Sequence, residues 1–111
     1  MLQGVDINRN YGYLWGNTDG PCSESYPGPH AFSEPETKAM RGLMYKYIDD
    51  IKFVYNFHAY GPMYVWPYNG DLVNQLSEEN PEAQAIFNEI WEGAKFPEST
   101  IRGNAIETVG Y

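Results

Sequence analysis

Apolar residues at Ala39, Met40, Leu43, Met44, Tyr47 and Ile48 recur three and four apart, opposite Lys38, Arg41 and Lys46. That period predicts an amphipathic helix over about residues 34–48. Ser33 followed by Glu36 reads as a capping box, with Pro35 in the first turn, where its missing N–H costs nothing. Directly afterwards the pattern changes to β-branched and aromatic residues from Ile51 to His58, with Ile51, Phe53, Tyr55 and Phe57 on one face and Lys52, Val54, Asn56 and His58 on the other. This predicts a strand ending at His58. Asn80 as N-cap, Pro81 at the first helical position, and Ala83, Ile86, Phe87, Ile90, Trp91 and Ala94 at helical spacing predict a second helix, weakened by Gly93 in its last turn. Between Gly16 and Pro35, glycines and prolines interrupt any regular element and predict a long ordered surface loop. The tail from Lys95 to Tyr111 is ambiguous, with Thr108-Val109 entering either a strand or a loop. A helix running straight into a strand points to an α/β fold, whose ligands gather at the carboxyl ends of its strands. His58 stands at such an end.

The chain has 111 residues, room for one small domain that buries roughly 65% of its unfolded surface. Acidic residues outnumber basic ones 15 to 7, for a net charge of −8. Nucleic acid is therefore excluded as a partner, since phosphate binding needs a concentrated basic face. No apolar run approaches the roughly 20 residues that span a bilayer, and the first ten residues lack the basic flank and apolar stretch of a signal peptide. Membrane is excluded on the same grounds. Ten tyrosines and three tryptophans suit the chain to lining a wet cleft as well as packing a core. The single cysteine, Cys22, makes neither an intramolecular disulfide nor a multi-thiolate zinc site.

Cys22, His30 and His58 have no zinc-like spacing, and a lone histidine in a strand is more often structural than a metal ligand. The stretch from Gly4 to Asn10 carries more chemistry. Arg9 offers paired planar donors that match a carboxylate, and the Asn8 amide adds another. Two readings stay open: a clamp for an anionic substrate, or a turn in which Asp6 and Asn8 satisfy local backbone while Arg9 pairs with a neighbouring acid.

The string Gly-Val-Asp-Ile-Asn-Arg-Asn over 4–10 is followed in order by Pro21-Cys22-Ser23-Glu24-Ser25-Tyr26 with Gly28, Ser33-Glu34-Pro35-Glu36, Asn56-Phe57-His58-Ala59-Tyr60 and Tyr64-Val65-Trp66-Pro67-Tyr68. This set resembles the zinc carboxypeptidases of the pancreatic carboxypeptidase A and B type, peptidase family M14. The resemblance implies that residues 1–111 are the central part of that catalytic domain, a partial mixed sheet with flanking helices, lacking its N- and C-terminal parts. It implies that Asn8 and Arg9 hold the free C-terminal carboxylate of a peptide, that His58 is the third ligand of a zinc ion, and that Tyr60 lines the cleft where the peptide enters. Cis peptide bonds are implied at Ala59-Tyr60 and Pro67-Tyr68. The family's His-x-x-Glu zinc ligands and its transition-state arginine lie upstream of these motifs, and its substrate-capping tyrosine and general-base glutamate lie downstream. Tyr111 is not that tyrosine. Cys22 aligns with a cysteine whose disulfide partner is replaced here by Leu2, and Ala59 replaces the usual Ser or Thr.

The function implied is zinc-dependent hydrolysis of the C-terminal peptide bond of peptides and proteins, in a secreted or lysosomal setting. With one of three zinc ligands present, the isolated chain is expected to be inactive. The alternative is a non-catalytic, metal-free peptide-binding module of the same fold. A third reading, a sugar-stacking surface, uses Tyr60, Tyr64, Trp66 and Tyr68.

Overall fold

A computed structural model describes residues 4–16, 20–59, 61–68, 71, 73–105 and 108. They fall into two compact units, Met1–Asn56 and Phe57–Tyr111.

In the first unit a single 3-10 turn, Ile7–Arg9, precedes the long loop and helix α1, Pro35–Lys46. The helix is shorter than its apolar period predicts at both ends. Glu34 is the N-cap, and the Ser33–Glu36 box does not form: the Ser33 hydroxyl donates instead to the Glu34 carboxylate at 2.7 Å. At the other end Tyr47 N–H closes on Leu43 O, and Asp50 and Ile51 N–H both turn back to Tyr47 O at 2.9 Å, so the chain leaves the helix there.

Residues 51–58 belong to no strand, which corrects the strand expectation. The side-chain alternation is nonetheless present, since the rings of Phe53 and Tyr55, two residues apart, lie 4.7 Å from each other.

The second unit holds strand β1, Met63–Val65, helices α2, Leu76–Glu79, and α3, Pro81–Gly93, and strand β2, Ile101–Gly103. β1 and β2 pair in parallel with Tyr64 opposite Arg102. Helices with a parallel ladder bear out the α/β class. The strand of the tail thus lies at Ile101–Gly103; Thr108 N–H donates to Asn104 O at 3.1 Å, and Val109 lies outside the described residues. The start of α3 is as the sequence predicts, with Asn80 Oδ1 accepting from Ala83 N–H at 3.0 Å and Pro81 in the first turn.

The apolar face of α3 meets β1 in an aromatic cluster. Tyr64 is 8% exposed, with the rings of Phe96, Trp91, Trp66 and Phe87 between 5.1 and 6.3 Å from its own. Trp91 stacks on Phe96 at 4.9 Å, and the Arg102 guanidinium lies over the Trp91 ring at 5.2 Å. Replacing Trp91 with alanine removes its contacts with Tyr64, Phe96 and Arg102. For this half-buried ring we expect a loss of about 2 kcal/mol, below the range for full burial, read as a lower urea midpoint. A midpoint unchanged from wild type would show that the cluster does not hold the unit.

Candidate functional site

The 3-10 turn of the first unit is built by its own side chains. Asp6 caps it, its Oδ1 accepting from Asn8 N–H at 2.9 Å, while Asp6 N–H donates to Tyr26 O at 2.8 Å and ties the turn to the loop. Asn8 and Arg9 therefore share one short, doubly anchored turn. Asn8 is exposed and borders an open trough of about 630 Å³. Arg9 is partly exposed, with its Nε 4.0 Å from Asp6 Oδ2, the outer limit of an ion pair. Both open readings of this stretch find material here: Asp6 satisfies local backbone, and the two candidate donors stand side by side.

Directly after the turn comes the residue that sequence reasoning overlooked. Asn10 is fully buried, and its amide protons are shared among Pro27 O at 2.7 Å, the Ser33 hydroxyl at 2.7 Å and His30 O at 3.1 Å. Its Oδ1 accepts from the buried Thr37 hydroxyl at 2.6 Å and from Glu34 N–H at 3.2 Å. Asn10 thus caps α1 from outside the helix, the task the sequence assigns to Ser33, and fixes the loop to the candidate clamp. The signal was an asparagine, able to make four hydrogen bonds, preceding a loop rich in carbonyls with no ladder to bind them.

Gly28 lets the loop pass this hub. It has φ +86°, and a Cβ there would stand 2.5 Å from Ser33 Oγ and 2.7 Å from Asn10 Nδ2. Gly28→Ala is expected to cost about 2 kcal/mol from combined strain and displacement of the Asn10 bonds. Chemical denaturation measures it, and a neutral result would contradict the close approach.

His30 is exposed with its Nδ1 against Ala31 O at 3.0 Å, and Cys22 is an exposed free thiol. His58 is exposed in the second unit. Tyr60, with the expected cis bond at Ala59-Tyr60, lies outside the described residues, as does Leu2. The Pro67-Tyr68 bond is cis, as the resemblance implies. The sugar-stacking reading fails at Tyr64, whose ring packs into the aromatic cluster and offers no exposed face. Among the described residues no group of three or more His, Cys, Asp or Glu is arranged to hold a metal, and no helix is long and apolar enough to cross a membrane.

The profile of the zinc carboxypeptidase family matches residues 2–109. The chain belongs to the zinc carboxypeptidase family. It is 31% identical over its whole length to carboxypeptidase B of Helicoverpa zea, covering 27% of that protein. It is 37% identical to human carboxypeptidase B over 75% of this chain and 20% of that one. The crystal structure of carboxypeptidase A from Helicoverpa armigera superposes with a TM-score of 0.69 at 30% identity, covering 96% of this chain and 27% of that one. The chain therefore spans about a quarter of the length of such relatives.

Proposed function

We propose that these 111 residues are one part of a carboxypeptidase catalytic domain that removes the C-terminal residue of peptides and proteins. In this reading Asn8 and Arg9 grip the substrate's terminal carboxylate, Tyr60 lines the entry for the peptide chain, and His58 is one ligand of a zinc ion. The observation that carries it is the capped 3-10 turn: the Asp6 side chain holds the Asn8 backbone, so that an amide and a guanidinium are presented together from a fixed backbone. Two sheltered hydrogen bonds to a carboxylate contribute roughly 1.5–3 kcal/mol each. An internal peptide bond brings no such carboxylate, which restricts cleavage to the chain end.

The described residues do not by themselves fit a zinc centre. His58 is a single imidazole, whereas a catalytic zinc takes three protein ligands. The remaining ligands and the general base belong, in this proposal, to polypeptide beyond these residues, and the compartment is secreted or lysosomal. The isolated chain is accordingly expected to retain no stoichiometric zinc after dialysis and to release no C-terminal residue from a peptide; tight one-to-one metal with turnover would refute the division of labour.

The clamp is tested separately by titrating the chain with N-acetyl-phenylalanine and with its amide. The free acid is expected to shift the NMR signals of Asn8 and Arg9, at least ten-fold more strongly than the amide, and Arg9→Ala to abolish the difference. Equal responses to acid and amide would overturn the assignment.

A further inference from the structure

The turn that carries Asn8 and Arg9 is three residues long, too short for its own hydrogen bonds to fix it, and its closing bond from Asn10 N–H to Ile7 O is 3.2 Å. Its geometry is therefore set from outside. At the leading end Asp6 N–H is fastened to Tyr26 O at 2.8 Å, and at the trailing end Asn10 O accepts from Phe32 N–H at 2.7 Å. The Asn10 side chain adds a third fastening. Two donors decide which way its amide points, Glu34 N–H at 3.2 Å and the Thr37 hydroxyl at 2.6 Å, both on Oδ1. Thr37 is fully buried in the first turn of α1. Its single hydroxyl proton has two acceptors in reach, Asn10 Oδ1 at 2.6 Å and Glu34 O at 3.1 Å, and the shorter contact runs to Asn10.

Resting on the reading of Asn8 and Arg9 as a carboxylate clamp, we propose that Thr37 is a positioning residue for that clamp, acting through Asn10. With Oδ1 turned to Thr37 and Glu34, the amide protons of Asn10 meet Pro27 O, His30 O and Ser33 Oγ. A flipped amide would set its oxygen against two carbonyls and its protons against the Glu34 N–H, so one orientation is selected. Asn10 follows Arg9 directly, with about 3.8 Å between their Cα atoms, and rocking of its amide passes into the backbone that carries the guanidinium. A displacement of about 1 Å in a group that positions a substrate is enough to weaken its action strongly. Packing does not account for a hydroxyl here, since valine fills the same volume and a buried hydroxyl is costly unless bonded. The coupling is reciprocal. Whatever the Thr37 bond contributes to holding a carboxylate, a held carboxylate returns to the hydrogen bonds around Asn10.

The test repeats the titration with N-acetyl-phenylalanine and its amide on Thr37→Val and Thr37→Ser. Valine keeps the shape of the side chain and leaves Asn10 Oδ1 its bond from Glu34 N–H, so the variant is expected to fold, which the dispersed NMR signals of residues 4–46 check. The preference for the free acid is expected to fall about five-fold in Thr37→Val, the effect of one hydrogen bond, and to stay within about two-fold of wild type in Thr37→Ser. A packing role predicts the opposite order, because serine loses the methyl group and valine does not. A wild-type preference in Thr37→Val therefore overturns the proposal, as does a loss confined to Thr37→Ser. A second readout on the unaltered chain covers a valine variant that fails to fold. Saturating free acid, but not the amide, is expected to slow hydrogen exchange of Glu34 N–H by about three-fold through its bond to Asn10 Oδ1, and unchanged exchange refutes the coupling. Equal responses of the unaltered chain to acid and amide sink the clamp and this role together. A preference that ignores Thr37 sinks this role alone.

Discussion

Asn10→Ala is expected to unfold the first unit. The side chain reaches five partners from a site with no solvent access, so its removal leaves a cavity and takes the N-cap acceptor from Glu34 N–H, while Pro27 O keeps Trp15 Nε1 and the Thr37 hydroxyl keeps Glu34 O. Each of the five hydrogen bonds lost contributes about 0.5–1.5 kcal/mol net. A total of about 4 kcal/mol is a large share of the stability of any small domain, roughly 5–15 kcal/mol. Phe32 adds to the sensitivity: it sits at φ +55° with its N–H donated to Asn10 O at 2.7 Å, a conformation that persists only while its surroundings hold it. Asn10→Asp is the informative companion, because a carboxylate keeps the acceptor toward Thr37 but turns the Pro27 and His30 carbonyls from partners into repelling neighbours. Both variants are expected to lose the dispersed NMR signals of residues 4–46. A native-like spectrum for Asn10→Ala, with a denaturation midpoint within about 0.5 kcal/mol of wild type, would show that the loop is held by something else.

What the sequence made legible was local. Asn80, Pro81 and the apolar period of α3 determine that helix without help from distant residues, and the structure agrees. The α1 period likewise sits on a helix, but its ends depend on contacts the period does not contain: the cap arrives from Asn10, 24 positions before Glu34, and the exit is set by the Tyr47 carbonyl. Residues 51–58 illustrate a different limit. Alternation states that two faces exist, whereas a strand requires a neighbour, and hydrogen-bond partners are a property of the fold. Tyr64 misled the sugar-stacking reading for a similar reason, since an aromatic residue carries no mark of whether its ring is offered to solvent or to Trp91 and Phe96. For the candidate site, adjacency of Asn8 and Arg9 was visible at once. The Asp6 cap that orients them was legible only as one of two alternatives, and Asn10 beneath them was read merely as the end of a motif.

Arg9 carries the larger functional prediction. In a chimera that carries these residues in place of the matched quarter of Helicoverpa zea carboxypeptidase B, Arg9→Ala is expected to lower kcat/KM by about 10²–10³-fold, the loss of two charge-assisted hydrogen bonds at about 1.36 kcal/mol per decade. Arg9→Lys is expected to recover only part of this, because an ammonium restores charge but not the planar fork that meets both carboxylate oxygens. The control lies in the substrate. A peptide amide lacks the group Arg9 is proposed to hold, so its slow cleavage should be nearly insensitive to the substitution, and the acid–amide preference should collapse toward unity in the alanine variant. This is a coupling between one side chain and one substrate group, which general destabilisation does not produce. Were Arg9 only the partner of Asp6 in a structural turn, acid and amide would fall together, and Asp6→Asn would reproduce the loss. Under the clamp reading Asp6→Asn keeps an oxygen to accept from the Asn8 N–H, so the preference for the free acid survives.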